Sequence, residues 1–204
     1  MYPYSRPSRP LDLGGTWVNL LVAALAASFA LLGRRLLNPG IIHDPYAIGV
    51  LAGALLGFVL HEYAHERVAL KGGCWARFML HPFGLALTLV SGLIPFIAII
   101  APGAVSIACP SWGWGSSSRL EERIAAAGVT VNIAIAFAAI ALHYIAPSAY
   151  AKFAAVGAAE INAWIAIFNL LPVPPLDGWR LARLNPGKWL TLLAASIIAW
   201  LLIP

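Results

Sequence analysis

Hydrophobic residues are concentrated in five long runs along the chain, at residues 17–33, 46–66, 121–145, 152–171 and 187–203. Each run has the length and composition of a helix, and the first and last are close to the lower limit of roughly 17 residues for crossing a bilayer. Polar residues, glycines and prolines separate the runs. The pattern predicts an all-α polytopic membrane protein with about five to six transmembrane helices.

The stretch between the second and third runs, residues 78–110, departs from this pattern. It is strongly apolar, but four prolines and three glycines interrupt it. Its runs LALTLV and IPFIAII are short and partly β-branched, which favours strands or re-entrant pieces over one clean helix. Such backbone is tolerated at membrane depth only against protein or beside a wet cavity. We predict a short membrane-associated pair of strands packed beside the second helix, with a kinked helical hairpin as the alternative.

The composition supports the membrane assignment. Of the 204 residues, 61% are hydrophobic and only 10% are charged, whereas an ordinary soluble domain averages roughly 25% charged residues. The formal charge of +5 would suit a nucleic-acid-binding protein if it formed a patch. The basic residues flank apolar runs instead, so we expect no nucleic-acid partner and read them as signals of orientation.

The distribution of basic residues predicts the orientation. With the N-terminus in the cytoplasm and five crossings, the outer side receives three of the thirteen basic residues, Arg34, Arg35 and Lys152. The other ten fall on the cytoplasmic side, as the positive-inside rule expects. We therefore predict a multi-pass protein of the cell membrane. Residues 1–16 form a cytoplasmic tail, the second helix ends in the cytoplasm, and the C-terminus lies outside.

The second helix carries the motif HEYAH at the end of an unbroken apolar run, residues 47–60. His61 and His65 are four residues apart, so on a helix they share one face and can bind one metal ion together. Glu62 is available beside them as a proton carrier for water at the metal. Ionisable residues inside a membrane helix are costly unless they serve a function. The motif therefore predicts a metal site within the bilayer or just beneath it.

A catalytic zinc site needs a third protein ligand and one open position. Four of the remaining candidates, His43, Asp44, His143 and Glu160, lie toward the outer half of the predicted bundle, whereas Asp177 does not. It lies in FNLLPVPPLDGWR, at the cytoplasmic end of the fourth run, where three prolines stop the helix. Gly178 relaxes the backbone after it. The unwound segment could therefore aim one carboxylate at the two histidines. A cluster of Zn²⁺, two imidazoles and one carboxylate would carry a charge of +1, and a bound hydroxide would bring it to zero.

Three side chains outside this set receive structural interpretations. Cys74 and Cys109 are too far apart for a CxxC metal site. The predicted orientation places both on the cytoplasmic side, where thiols stay reduced, so we interpret them as small packing residues, although the sequence leaves a disulfide open. Glu66, next to Arg67 at the helix end, is interpreted as half of a solvated ion pair.

Three segments together carry a family resemblance: HEYAH, GVTVN at residues 128–132, and FNLLPVPPLDG. HExxH with a downstream N-x7-D-G segment in a polytopic protein is highly specific. The chain resembles the site-2 protease family of intramembrane zinc metalloproteases, from the second helix to about Arg180. It corresponds to a short archaeal-type member without a PDZ or CBS domain. We expect one integral-membrane metalloprotease domain over 1–204, with its catalytic core at 46–180.

The resemblance implies a role for each matching residue. One Zn²⁺ per chain is bound by three residues, His61, His65 and Asp177, and Glu62 acts as general base and acid. Asn169 helps to hold the substrate carbonyl or the oxyanion. Asn132 matches a small-residue motif that lets the third helix pack close to the metal helix. An edge strand of the 78–110 segment pairs with the unwound substrate.

The implied function is hydrolysis of peptide bonds within transmembrane segments of other membrane proteins, in regulated intramembrane proteolysis. The implied partners are a transmembrane-helix substrate and the lipid bilayer, and the sequence does not indicate an oligomeric state. The alternative is a membrane zinc-binding protein or zinc transporter without proteolytic activity. Transport predicts polar residues continuing toward the outer face, where the sequence offers few besides Asn19 and Asn162.

Overall fold

The computed structural model describes residues 10–33, 38–94, 99–109 and 118–204. Seven α-helices, one short 3₁₀-helix (Pro39–His43) and two strands are formed within these ranges. In chain order the α-helices and strands are α1 (Thr16–Leu32), α2 (Pro45–Lys71), β1 (Trp75–Leu80), α3 (Pro82–Ser91), β2 (Gly103–Ala108), α4 (Ser118–Ile145), α5 (Ala149–Asn169), α6 (Asp177–Leu184) and α7 (Pro186–Leu201). A helix thus forms at each of the five apolar runs, as the sequence predicts.

Three of the helices, α2, α4 and α5, are long and apolar enough to cross a membrane, and they indicate a membrane protein. Helices α1 and α7 have 17 and 16 residues and count as shorter apolar helices. The three long helices account for part of the expected five to six crossings. The remaining crossings stay a prediction.

Helices α2 and α5 run parallel to each other, and α4 runs antiparallel to both. Glycines recur at every fourth position of α2, at Gly49, Gly53 and Gly57, so they share one face of the helix. A Cβ at any of them would meet α5. Small residues at this spacing let two membrane helices approach backbone to backbone. The end of α2 that carries HEYAH therefore lies beside the end of α5 and the start of α4.

Another part of the core lies between α4, α5, α6 and α7. A buried cluster joins Val129 of α4, Leu170 after α5 and Leu181 of α6, and Trp189 of α7 packs against it. The indole N–H of Trp189 donates to Leu170 O at 2.8 Å, which ties α7 to the end of α5. This packing fixes the segment between α5 and α6, where the third predicted ligand lies.

The expected pair of strands forms, but at different residues, and β1 begins before the 78–110 segment. Strands β1 and β2 pair antiparallel, with Trp75 opposite Ala108 and Leu80 opposite Gly103. The LALTLV run, predicted to be a strand or re-entrant piece, lies in helix α3. The helix begins at Pro82, whose fixed φ suits a first helical position, and this start outweighs the β-branched residues. The IPFIAII run lies largely outside the described residues.

Cys74 and Cys109 form a disulfide, so their interpretation as free packing residues is wrong. The register of the sheet explains the bond. Trp75 lies opposite Ala108. Cys74, which precedes Trp75, and Cys109, which follows Ala108, are therefore brought together at the end of the sheet, although they are 35 positions apart in sequence. The disulfide closes the end of the sheet next to α2.

The segment before α1 covers the second edge of β1. Leu11 exchanges two backbone hydrogen bonds with Leu80, and the Asp12 carboxylate forms an ion pair with Arg77 of β1 at 2.8 Å. Asp12 also accepts from the backbone N–H groups of Gly15 and Gly14, and these bonds hold the pKa of its carboxyl below the ordinary value. Strand β1 is thus bordered on both sides.

Glu66 links α2 to the sheet and to α1. Its side chain is buried and accepts from Phe78 N at 3.1 Å and from the Thr16 hydroxyl at 3.1 Å. The interpretation of Glu66 as a solvated partner of Arg67 is therefore wrong. Sequence position alone suggested a helix end in water, but the sheet folds back over that end.

Candidate metal centre

The two histidines of HEYAH and Asp177 converge on one point. His61 Nε2 and His65 Nε2 are 3.0 Å apart, and Asp177 Oδ2 lies 3.3 Å from the first and 3.1 Å from the second. Tetrahedral zinc with metal–ligand bonds of about 2.0–2.2 Å separates its ligand atoms by about 3.3 Å. The three atoms therefore already have the spacing of zinc ligands.

The hydrogen bonds of the two imidazoles leave both Nε2 atoms free for a metal. His65 Nδ1 lies 2.7 Å from Ile124 O, and a carbonyl only accepts, so Nδ1 carries the proton. His61 Nδ1 lies 2.6 Å from Asn132 Oδ1. Both rings thus direct an Nε2 lone pair at the same point as Asp177 Oδ2, a buried atom without a hydrogen-bond partner in the described part of the chain. Three converging acceptors require a cation, so the residues fit a metal ion.

Different elements supply the three side chains. His61 and His65 are buried, with 5% and 7% of their surface exposed, on the face of α2 that continues the glycine stripe. Asp177 is the first residue of α6. Gly178 follows it inside the helix, where a Cβ would collide with Leu170 O. The glycine is therefore required for close packing against the end of α5, and not for backbone freedom as the sequence analysis assumed.

The ionisation of Asp177 suits metal binding. Burial alone raises the pKa of its carboxyl, and positive charge beside it lowers that pKa. Because both histidines present unprotonated Nε2 atoms, the positive charge that keeps Asp177 ionised would be the metal ion itself. The side chain presents a carboxylate, which is the form that a metal binds.

Gly128 lets α4 approach the metal-binding face of α2. A Cβ at this position would lie 2.5 Å from His65 Nε2 and 2.6 Å from His61 Nε2. Any side chain there would occupy the space between the ligand atoms. The GVTVN segment, identified in the sequence as a helix-packing motif, therefore also keeps the metal position clear.

Glu62 lies between the cluster and the sheet. It follows His61 directly on α2, and the backbone of Val105 in β2 interacts with its carboxylate. A proton carrier at this place could serve both a water at the metal and a peptide lying along β2. Its assignment as general base and acid remains a prediction.

The two asparagines of the predicted site differ in what they contact. Asn169 is the last residue of α5, and its side-chain N–H donates to Ile165 O of the same helix at 3.0 Å, so its predicted role toward the oxyanion stays a prediction. Asn132 is fully buried and contacts the His61 ring directly. The sequence predicted a role for Asn132 in helix packing and gave no indication of this polar contact.

The structure adds two residues to the surroundings of the site that sequence reasoning did not place there. Asn162 of α5 hydrogen-bonds to Asn132, and Glu66 joins the metal helix to β1. The sequence suggested that Asn162 lies toward the outer face, but it lies beside Gly57, one helical turn before His61. The available signal was its polarity, since a polar residue in a membrane helix calls for a partner. Nothing in the sequence around Glu66 indicates its partners.

The fold and the site together define a class: an apolar helical protein that presents a His–His–Asp metal-ligand set with an adjacent glutamate. Similar proteins carry matching names. The chain is 36% identical over 136 residues to "Putative zinc metalloprotease MJ0611" of Methanocaldococcus jannaschii, covering 65% of this chain and 68% of that protein. It is 27% identical over 163 residues to "Putative zinc metalloprotease YwhC" of Bacillus subtilis, covering 67% of each chain.

The chain therefore belongs to the family of these zinc metalloproteases, in agreement with its resemblance to short members of the site-2 protease family. No family model matches the chain, and no solved structure matches it significantly. The assignment rests on the two relatives, and the ligand geometry agrees with it.

Proposed function

We propose that this protein is an intramembrane zinc metalloprotease that hydrolyses peptide bonds within transmembrane segments of other membrane proteins. The observation that carries the proposal is the convergence of two Nε2 atoms and one unpartnered carboxylate oxygen beside Glu62, within an apolar bundle. The names of the relatives support a zinc metalloprotease. The apolar length of α2, α4 and α5 supports a substrate that is itself in the membrane.

His61, His65 and Asp177 would hold one Zn²⁺ per chain. When bound, the ion supplies a water of lowered pKa, about 7, and polarises a scissile carbonyl. The chain's own residues supply the remaining chemistry. Glu62 takes the proton of the attacking water as the C–O bond forms, and it returns that proton to the amide nitrogen as the C–N bond breaks.

Two further groups would position the substrate. Asn169 would donate its amide N–H to the developing oxyanion, and this requires the side chain to turn away from Ile165 O. Strand β2 pairs with β1 along one edge, and Val105 in β2 reaches the Glu62 carboxylate. A locally unwound substrate added to this sheet would have its backbone groups paired beside the proton carrier.

The decisive experiment is Glu62→Gln in the purified protein and in cells that co-express single-span membrane proteins. We expect the variant to bind zinc as the wild type does and to release no fragment from any substrate that the wild type cleaves. Glu160→Gln is the matched control, because Glu160 also lies in a spanning helix but bonds to the Tyr46 hydroxyl, away from the cluster. Unchanged cleavage by Glu62→Gln would overturn the proposed mechanism.

The same experiment tests the alternative of a zinc-binding protein or transporter. If the wild type binds zinc but releases no fragment from any substrate in the panel, while a vesicle assay records zinc flux, the protease proposal fails. We expect the reverse: cleavage without flux, abolished by a chelator and restored by added zinc.

We further propose that the N-terminus and the site end of the bundle lie in the cytoplasm of a multi-pass protein of the cell membrane. The asymmetry of basic residues supports this orientation, whereas the Cys74–Cys109 disulfide weighs against it because such bonds are rare in most cytosolic proteins. Alkaline phosphatase fused after Pro204 should be active, since the C-terminus is expected outside. If alkaline phosphatase is inactive at the C-terminus and active at the N-terminus, the orientation is the opposite of the one proposed.

A further inference from the structure

Two fully buried asparagines, Asn132 of α4 and Asn162 of α5, connect the glycine stripe of α2 to the metal site. The Asn162 amide N–H groups donate to Gly53 O at 3.0 Å and to Ala158 O at 2.9 Å. The Asn132 amide N–H groups donate to Gly57 O at 3.2 Å and to Asn162 Oδ1 at 2.9 Å. All four amide hydrogens are therefore used.

The donor and the acceptor of each hydrogen bond in this series can be assigned by starting from the backbone carbonyls that Asn162 faces. Backbone carbonyls only accept, so the two carbonyls facing Asn162 require its NH₂ group on their side. Its Oδ1 is then directed toward Asn132, and the Asn132 NH₂ group donates a hydrogen bond to it. Only Asn132 Oδ1 remains for His61. Two acceptors, Gly57 O and Asn162 Oδ1, thus hold the Asn132 NH₂ group on their side, and Asn162 contributes the shorter of the two bonds.

The last bond of the chain selects the tautomer of His61. Because Asn132 presents an acceptor, the proton of the neutral imidazole resides on Nδ1, and Nε2 is free to bind a metal. If the Asn132 side-chain amide were flipped by 180°, it would present its NH₂ group to His61 Nδ1. The proton would then move to Nε2, the atom that faces Asp177, and the ring could not bind metal through that atom.

Gly57 makes room for this arrangement. A Cβ at residue 57 would collide with Asn162 Oδ1 and would lie 3.0 Å from Asn132 Nδ2. The third glycine of the stripe therefore serves the pair of amides as well as the close packing of α2 and α5.

We propose that Asn162 is a positioning residue for the metal site: acting through Asn132, it holds His61 in the tautomer that presents Nε2 to the metal. The inference rests on the proposed role of His61 as a metal ligand. Asn162 touches neither the metal position nor any of the three ligands, so its effect must pass through the polarity of the Asn132 amide.

The first test measures zinc affinity by chelator competition in the detergent-solubilised protein. Outer partners of metal-bound histidines typically contribute 10–100-fold to metal affinity, and we expect Asn162→Leu to weaken zinc binding about tenfold, at the lower end of that range. Asn19→Leu is the matched control. Asn19 is also a fully buried asparagine of an apolar helix, but its amide donates to Phe78 O, and we expect zinc affinity to be unchanged.

The second test separates polarity from packing. In an Asn132→Asp background the side chain offers an acceptor in either orientation, so nothing is left for Asn162 to fix. Adding Asn162→Leu to this background should not weaken zinc binding. A tenfold loss in the asparagine background and none in the aspartate background is the signature of the proposed relay.

The third measurement does not require metal. Nitrogen-15 shifts of His61 in the zinc-free protein should report a proton on Nδ1 in the wild type and a shift of the proton toward Nε2 in Asn162→Leu. Asn162→Ala replaces the leucine variant if that variant does not fold.

The outcomes distinguish the inference from the proposed function. A wild-type protein that binds no zinc would overturn the metal site itself. A wild type that binds zinc, with unchanged affinity in Asn162→Leu or with equal losses in both backgrounds, would leave the metal site in place and overturn the relay.

Discussion

Two faces of α2 are held by different kinds of interaction. The metal face, which carries His61 and His65 toward α4 and α5, is bordered by glycines and by uncharged amides whose hydrogen bonds are all satisfied. The sheet face, which carries Glu66 toward α1 and β1, is held by a carboxylate that accepts from a backbone N–H and a hydroxyl. Close packing and fixed amide orientations restrict the first face, whereas a few polar contacts join the second to a small sheet. We expect zinc binding to depend on the metal face and substrate handling to depend on the sheet face.

The largest loss of zinc affinity, confined to the metal face, is expected from a change at Asp177. Asp177→Asn removes the only charged ligand, and we expect zinc affinity to fall by more than the roughly 100-fold upper range seen for outer partners of metal ligands. Zinc affinity from chelator competition measures the effect, and amide exchange at Phe78 should stay unchanged, because the sheet face is not altered. Undiminished zinc affinity would remove Asp177 from the site.

A smaller effect is expected from Gly128→Ala, which leaves every ligand in place. The added Cβ would lie 2.5 Å from His65 Nε2, so α4 must move away or the imidazoles must rotate, and we expect a loss of zinc affinity of at least about tenfold, within the range for altered ligand orientation. Gly187→Ala is the matched control, since its Cβ would make an ordinary 3.6 Å contact. Equal zinc affinity in the two variants would show that α4 does not limit the metal position.

The smallest effect on zinc is expected on the sheet face, from Glu66→Gln. The amide keeps one acceptor but loses the charge, and hydrogen bonds to charged groups are typically worth about 1.5–3 kcal/mol each. We expect faster amide exchange at Phe78 and slower substrate cleavage, with zinc affinity unchanged. Arg67→Gln, at the exposed neighbouring position, is the control. A fall in zinc affinity as large as that of Gly128→Ala would mean that the two faces are not independent.

Helices were the most predictable part of this fold. A run of about twenty apolar residues in a membrane protein has few alternatives to a helix, because every backbone group must be paired within the segment. Prolines then set the ends, and this allowed Asp177 to be found from the sequence. The i, i+4 spacing of the two histidines fixed their common face before any tertiary contact was considered.

The segment between α2 and α4 was less predictable. Short apolar runs do not distinguish a strand from a buried helix, and LALTLV lies in α3. The strands formed instead at WARFML and GAVSIA, whose pairing depends on contacts between residues far apart in sequence. The disulfide follows from that same register, so reasoning from cysteine spacing and compartment could not find it.

By itself, the sequence determined the apolar helices, the pair of histidines on one helix face, and the carboxylate delivered by a proline-rich break. Local rules suffice for each of these, since helix periodicity and proline geometry act over a few residues. Only the tertiary structure decided that Gly128 leaves room between the ligand atoms, that Glu66 holds the sheet, and that Asn162 reaches His61 through Asn132. These contacts join residues 12 to 71 positions apart, and they form only after the helices have packed.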